Sequence, residues 1–411
     1  MLENNIMERL GILAESAKFD VSCSSSGVEK KNTGSIGNAA ACGICHTWSA
    51  DGRCVSLLKT LMSNDCVYDC AYCINRSSND IIRTSFTPEE VAHITMAFYR
   101  RNYIEGLFLS SAIEINPNHT MEKILKVLTL LRTEHRFSGY IHVKAIPGAD
   151  QMLIYQAGLL ADRMSVNIEL PSESSLKLLA PQKQPQKIFL PMAQIKESIT
   201  RSKEEKRRYL SAPSFVPAGQ STQMIVGATQ DTDRSILLTS EKLYKTFNMK
   251  RVYYSAYMPV NKGKNLPDIM TAPPLIREHR LYQADWLLRF YRFSAEEILT
   301  EKESNFDLDY DPKFHWALNN IHLFPMEINK VSYSELLRIP GIGPTSASRI
   351  VKQRQLIKVG FEDLQKMGVV AKRARYFITC NGKFFGIKSF DISSIKSAIN
   401  PVPKHTQLSL F

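Results

Sequence analysis

GLFLSSAIEINPNHTMEKILKVLTLLRTEHRFSGYIHVKAI, residues Gly106 to Ile146, reads as strand, helix and strand. The run from Gly106 to Ile115 is short and apolar, the sign of a buried strand. MEKILKVLTLLRTEH repeats apolar residues at helical spacing, and Gly139 to Ile146 returns to a strand. The same alternation continues outward in both directions. Upstream, VSLLKTLM is a strand, and PEEVAHITMAFYRRN after Thr87 is a helix with a proline in its first turn. Downstream, DRMSVNIEL (Asp162 to Leu170), STQMIVGAT (Ser221 to Thr229) and RVYYSAYMPV (Arg251 to Val260) are strands separated by helical segments. Strictly alternating strands and helices predict an α/β fold with a parallel sheet and helical crossovers. About six βα units suit a partial, open (β/α)6 barrel better than a closed eight-unit one.

The chain has 411 residues, 44% hydrophobic and 22% charged, enough for a sizeable core and for two or three domains. Its 52 Lys/Arg against 40 Asp/Glu give a net charge of +12, which suits a polyanionic partner. The N-terminus has no apolar secretory stretch and no run reaches ~18 apolar residues, so a cytoplasmic protein without membrane spans is expected. The organisation read from composition is a cysteine-containing segment over 1–54 and a barrel over 55–260. A proline-marked linker with a helical extension covers 261–325, a basic module 326–400, and a tail 401–411. Residues 326–411 alone hold 14 Lys/Arg and 5 Asp/Glu, marking a separate basic module.

Seven of the eight cysteines fall between Cys23 and Cys73. Cys66, Cys70 and Cys73 form a C-x3-C-x2-C run with Tyr72 before the last of them. Three thiolates at this spacing can hold one face of a cubane iron–sulfur cluster and leave its fourth iron open to an exchangeable ligand. A zinc or purely structural cysteine loop is the competing reading. The run resembles the motif of the radical SAM superfamily, which has an aromatic residue at the position of Tyr72. The resemblance implies a 4Fe-4S cluster on Cys66, Cys70 and Cys73. It implies S-adenosylmethionine as the ligand of the open iron and reductive formation of a 5′-deoxyadenosyl radical. It also implies contacts to S-adenosylmethionine at later strand ends: Ser110 and Ser111 where the family has a glycine-rich turn, Asn167 and Glu169, and the Val226-Gly227 strand end. Lys144 is a further candidate for the same cavity.

Cys23, Cys42, Cys45 and Cys54 lie upstream, and Cys42-Gly43-Ile44-Cys45 is a C-x2-C half-site. These four could hold an auxiliary iron–sulfur cluster or zinc; unligated small cysteines or a radical-quenching thiol are the alternatives. One cluster, or two with the auxiliary site, is therefore expected.

In the basic module, Leu336 to Ala347 (LLRIPGIGPTSA) reads as helix, hairpin and helix, with capping-box spacing at Ser332 and Glu335. Gly341 and Gly343 permit a tight turn and expose backbone N–H groups at a helix start, where a DNA phosphate can sit; Arg349 and Lys352 follow. The pattern resembles the helix-hairpin-helix of DNA repair and replication proteins, implying a small all-α module that grips the backbone without reading sequence. A structural αα-hairpin is the plainer alternative. Gln407, Leu408, Leu410 and Phe411 resemble the peptide by which replication and repair proteins dock on the bacterial sliding clamp, unless the tail packs on its own core.

Together these parts resemble the DNA modification/repair radical SAM subfamily encoded beside a uracil-DNA-glycosylase-like protein, from about Lys18 to Lys352. The resemblance implies an enzyme that modifies or repairs a nucleotide in DNA. It implies flavodoxin or ferredoxin as reductant and the glycosylase-like protein as a candidate partner. Cys380, Tyr254 or Tyr257 could return a hydrogen atom. An enzyme acting on tRNA or another RNA, and a non-catalytic DNA-binding redox sensor, are the alternatives.

Overall fold

The computed structural model describes residues 2–19, 44–48, 54–387 and 389–399. The chain divides into two compact units, Met1–Glu278 and His279–Phe411. Among the described residues, no helix is long and apolar enough to cross a membrane.

The first unit opens with helix α1 (Leu2–Ala17) and is built on a seven-stranded sheet: β1 (Ile44–Trp48), β2 (Cys54–Leu61), β3 (Gly106–Ser110), β4 (Tyr140–Lys144), β5 (Arg163–Ser165), β6 (Gln220–Val226) and β7 (Arg251–Ala256). The strands stand in chain order. Strands β2 to β7 pair in parallel, each next to its successor. This is the partial (β/α)6 barrel expected from the alternation. Strand β1 pairs antiparallel with β2, an addition that the alternation did not foreshadow.

The crossovers are α2 (Pro88–Arg100), α3 (Pro117–Thr129), α4 (Gln151–Leu160), α5 (Glu173–Leu179), α6 (Pro185–Arg208) and α7 (Asp233–Phe247). Helix α2 begins where the sequence dictates. The Thr87 side chain accepts from the Glu90 N–H, Glu90 accepts from the Thr87 N–H, and Pro88 occupies the first turn. Helix α6 was not foreseen, because Pro191 lies inside it and an internal proline normally argues against a helix. Strand β3 is buried along its whole length, as a parallel strand covered on both faces must be. Regular pairing of β5 stops at Ser165, short of the expected Leu170. Beyond it Glu169 takes a left-handed φ of 65° and makes an isolated bridge with Met224.

The second unit carries α8 (Leu275–Phe290), which contains the division, then α9 (Ala295–Ile298), α10 (Pro312–Asn319), β8 (Met326–Glu327), α11 (Tyr333–Leu336), α12 (Pro344–Gln353), α13 (Asp363–Lys366), α14 (Ala371–Ala374), β9 (Ile378–Cys380), β10 (Lys383–Phe384) and α15 (Ile392–Ile399). The helical region is present, but the expectation of an all-α module needs amendment. β8, β9 and β10 form a three-stranded sheet, in runs of two or three residues too short to leave a periodic signal. Its core is an aromatic cluster in which Phe314, Phe324 and Phe377 meet edge to face.

Candidate functional site

The cysteine run lies in the long loop between β2 and α2. Main-chain bonds fix the loop's base: Met62 N–H donates to Ser110 O and Phe86 N–H to Met62 O, each at 2.8 Å. Within the loop, the Arg83 guanidinium donates to four carbonyls, those of Asn64 (2.7 Å), Asn75 (2.9 Å), Arg76 (2.6 Å) and Asn79 (2.8 Å). Asp69 takes a two-point ion pair from Arg76 at 2.7 and 2.5 Å, and Ser78 donates to it as well. The Arg76 side chain holds the Asp69 carboxyl well below the usual carboxylate range. The loop is thus built by its own polar side chains, as a ligand-bearing loop must be if it is to be preorganised.

Cys70 is buried, and Cys66 and Cys73 are half-buried. Burial pushes the Cys73 thiol up to about 12 and raises that of Cys70, an effect that Lys183 partly offsets at Cys70. All three cysteines line one cavity with Tyr72, Ser110, Ser111, Lys144, Asn167 and Glu169. Ser110, Ser111, Lys144, Asn167 and Glu169 come from the C-terminal ends of β3, β4 and β5 or just beyond them, the end at which parallel α/β sheets place their ligands. The space is about 170 Å³. A single water needs only about 10–15 Å³, so there is room for an organic ligand and not merely an ion.

The electrostatics of the cavity centre on Glu169, which is 6% exposed. Lys183 Nζ lies 2.8 Å from Glu169 Oε1 and Lys144 Nζ 3.9 Å from the same oxygen. Burial alone would lower the Lys183 ammonium, but the Glu169 carboxylate more than reverses this and holds it well above the ordinary lysine range. Among the described residues, the Ser111 and Tyr257 hydroxyls at the cavity wall have no hydrogen-bond partner. Each such group costs about 1–3 kcal/mol unless something supplies a partner.

Among the described residues, no three His, Cys, Asp or Glu side chains stand close enough to hold a single metal ion. A tetrahedral zinc at Zn–S of about 2.3 Å would draw thiolate sulfurs to about 3.8 Å apart. A cubane distributes its cysteine sulfurs over different irons, and so needs them on one wall but farther apart. The three cysteines line one cavity beside hydroxyls that have no partner among the described residues, a donor set that could hold a cluster with an organic ligand.

Not every expected residue comes to the cavity. Gly227 does not line it; it takes φ 84°, and a Cβ there would lie 2.7 Å from Pro274 Cγ, so its glycine is explained by local packing. Tyr257 lines the cavity, whereas Tyr254 is fully buried elsewhere and donates to Ser240 Oγ at 2.8 Å. Cys380 lies in β9 of the second unit. Cys23, Cys42, the Cys54 side chain and Gln407 to Phe411 lie outside the described residues; Cys45 is half-buried on β1.

Sequence reasoning missed Lys183, Asn261 and Arg83. Asn261 Nδ2 donates to Ala71 O and Cys73 O, both at 2.8 Å, from a position just beyond β7. An isolated Asn or Lys in a proline-rich stretch carries no spacing signal, so only the fold reveals these partners.

In the second unit, Ser332 caps α11 and Glu335 completes the box. Gly341 turns the chain with φ 88°, where a Cβ would meet Val370 O at 2.7 Å. Gly343 is the N-cap of α12, without a side-chain cap, and Pro344 follows at the first helical position. Arg349 and Lys352 are exposed. Other basic residues here are structural: Arg354 donates to Ile328 O and Val331 O, and Arg373 pairs with Asp311.

No family model matches the chain, and no curated protein does. Among solved structures, the HydG maturase of the [FeFe]-hydrogenase matches at 15% identity and TM-score 0.40, over 55% of this chain and 48% of that one. Methylornithine synthase (PylB) matches at 13% and 0.39, over 54% and 60%. OxsB, described as a cobalamin-dependent S-adenosylmethionine radical enzyme, matches at 10% and 0.31, over 75% and 51%. The chain spans about half to three fifths of the length of these structures. Likeness at this level assigns neither a family nor a reaction.

Proposed function

We propose that the chain is a radical SAM enzyme acting on a nucleotide in DNA. The observation that carries this is the meeting of Cys66, Cys70 and Cys73 in one cavity with polar side chains from the C-terminal ends of β3, β4 and β5. Cys66, Cys70 and Cys73 would hold a 4Fe-4S cluster, and Ser110, Ser111, Asn167 and Glu169 would face S-adenosylmethionine. When bound, cluster and S-adenosylmethionine supply a 5′-deoxyadenosyl radical able to abstract hydrogen from an unactivated carbon. The chain's own residues do the rest. Arg83 and Asp69 shape the cysteine loop. Lys183 and Lys144 place positive charge beside the Glu169 carboxylate in a largely buried site. Ile225 and the Tyr257 ring add apolar surface to the cavity wall.

The DNA assignment rests on the hairpin of Gly341 and Gly343, the exposed Arg349 and Lys352, and the basic excess of residues 326–411. A base in duplex DNA must leave the stack to reach such a cavity, at a cost of a few kcal/mol that damage reduces. Docking on a sliding clamp, partnership with a uracil-DNA-glycosylase-like protein and reduction by flavodoxin or ferredoxin belong to the same proposal. The test is 5′-deoxyadenosine formation by anaerobically purified protein with S-adenosylmethionine and reductant. Single-stranded DNA, duplex DNA and RNA are supplied in turn. DNA-stimulated formation supports the proposal. Stimulation by RNA alone redirects the substrate, and no 5′-deoxyadenosine under any condition favours a redox sensor.

A further inference from the structure

The side chain that holds Ala71 and Cys73 at the end of the cysteine run comes from nearly two hundred residues away. Asn261 is 6% exposed. Its Nδ2 donates both hydrogens to the run, one to Ala71 O and one to Cys73 O, at 2.8 Å each. Its Oδ1 accepts from Asn79 Nδ2 at 2.8 Å, and Asn79 Nδ2 also donates to Ile74 O at 2.8 Å. Two amides thus tie three carbonyls, those of residues 71, 73 and 74, to a fixed point beyond β7. A primary amide suits this position because it offers two donors and an acceptor at once. With Ala71 O, Cys73 O and Ile74 O engaged by these amides, their peptide units are fixed and the Cys73 side chain leaves the backbone in one direction. Asn261 also follows directly on Tyr257, Met258 and Val260, which line the cavity. One short segment therefore forms cavity wall and fastens the cysteine loop.

We propose that Asn261 is a positioning residue of the iron–sulfur site. It presets the Ala71–Ile74 backbone, so that the Cys73 thiolate meets the cluster without reorganisation. The inference rests on the reading of Cys66, Cys70 and Cys73 as cluster ligands. It goes beyond that reading by assigning a role to a residue that touches neither cluster nor substrate.

The test compares anaerobically reconstituted parent, Asn261→Leu and Asn79→Ala proteins. Asn261→Leu keeps the volume but removes both donors; Asn79→Ala removes only the neighbouring amide. The readouts are the rate at which an iron chelator strips the cluster and the electron paramagnetic resonance spectrum of the reduced protein. Circular dichroism of each apo-protein reports the fold. Two hydrogen bonds at typical net strength correspond to stripping about 30-fold faster in Asn261→Leu, and a smaller increase is expected in Asn79→Ala. The spectrum shifts in Asn261→Leu, whereas a general loss of stability would leave the spectrum of intact protein unchanged. Equal stripping rates and superimposable spectra in a folded Asn261→Leu protein overturn the inference. If that variant does not fold, a parent-like Asn79→Ala overturns it instead. A parent protein that takes up no iron overturns the underlying reading of the cysteines.

Discussion

Replacing Lys183 with Met removes the closer of two cations from the Glu169 carboxylate while preserving most of the side-chain volume. Glu169 and Lys183 have side chains only 9% and 14% exposed, with 2.8 Å between Oε1 and Nζ. Removing one partner of a buried pair typically costs 3–5 kcal/mol, because the other charge stays behind without compensation. Lys144 Nζ, 3.9 Å from the same oxygen, can take up part of that charge. The expected cost is therefore near the lower end, about 3 kcal/mol. In a unit of this size that lowers the melting temperature by roughly 6–12 °C. A second change identifies the cause. Glu169→Gln in the Lys183→Met background removes the stranded charge, so the double variant should recover most of the loss. Thermal melts of the four proteins of the cycle provide the assay. A Lys183→Met protein within 0.5 kcal/mol of the parent, or a double variant as unstable as the sum of the singles, would refute this account of the pair.

Three further outcomes follow from the geometry. Arg83→Ala should abolish stable iron binding while leaving the circular dichroism of the barrel intact, since four loop carbonyls lose a charged donor at once; iron analysis beside a far-ultraviolet spectrum checks this. Gly341→Ala should destabilise the second unit by about 1–3 kcal/mol, from left-handed strain together with a Cβ 2.7 Å from Val370 O, read by melting and by loss of DNA binding. Arg349→Ala and Lys352→Ala should each weaken DNA binding uniformly across sequences and each reduce the salt slope by about 1, read by fluorescence anisotropy titrations at several salt concentrations.

The barrel was legible because period is a property of every residue in a segment. The apolar run of β3 and the spacing of α3 identify their elements without tertiary information. Helix α6 and the short strands β8 to β10 escaped for physical reasons: an internal proline masks the first, and strands of two or three residues have no period to read. That Cys66, Cys70 and Cys73 share one cavity could be read because they lie close in sequence on one loop. Lys183 and Asn261 could not, since each reaches the site only when the sheet brings remote strand ends together. The Arg83 contacts are local, but an arginine reaching for carbonyls has no sequence signature distinct from a solvated one. At Gly227, a glycine at a strand end that invites a ligand role, Pro274 and a positive φ already require the missing side chain.

The central claim is that Cys66, Cys70 and Cys73 carry an iron–sulfur cluster. It is tested most directly by counting iron, acid-labile sulfide and zinc per chain in anaerobically purified protein, beside a variant with all three cysteines changed to Ala. The account predicts about four irons and four sulfides in the parent and none in the variant, or about eight falling to four if Cys23, Cys42, Cys45 and Cys54 hold a second cluster. Iron missing from the parent, or zinc in its place, would contradict it.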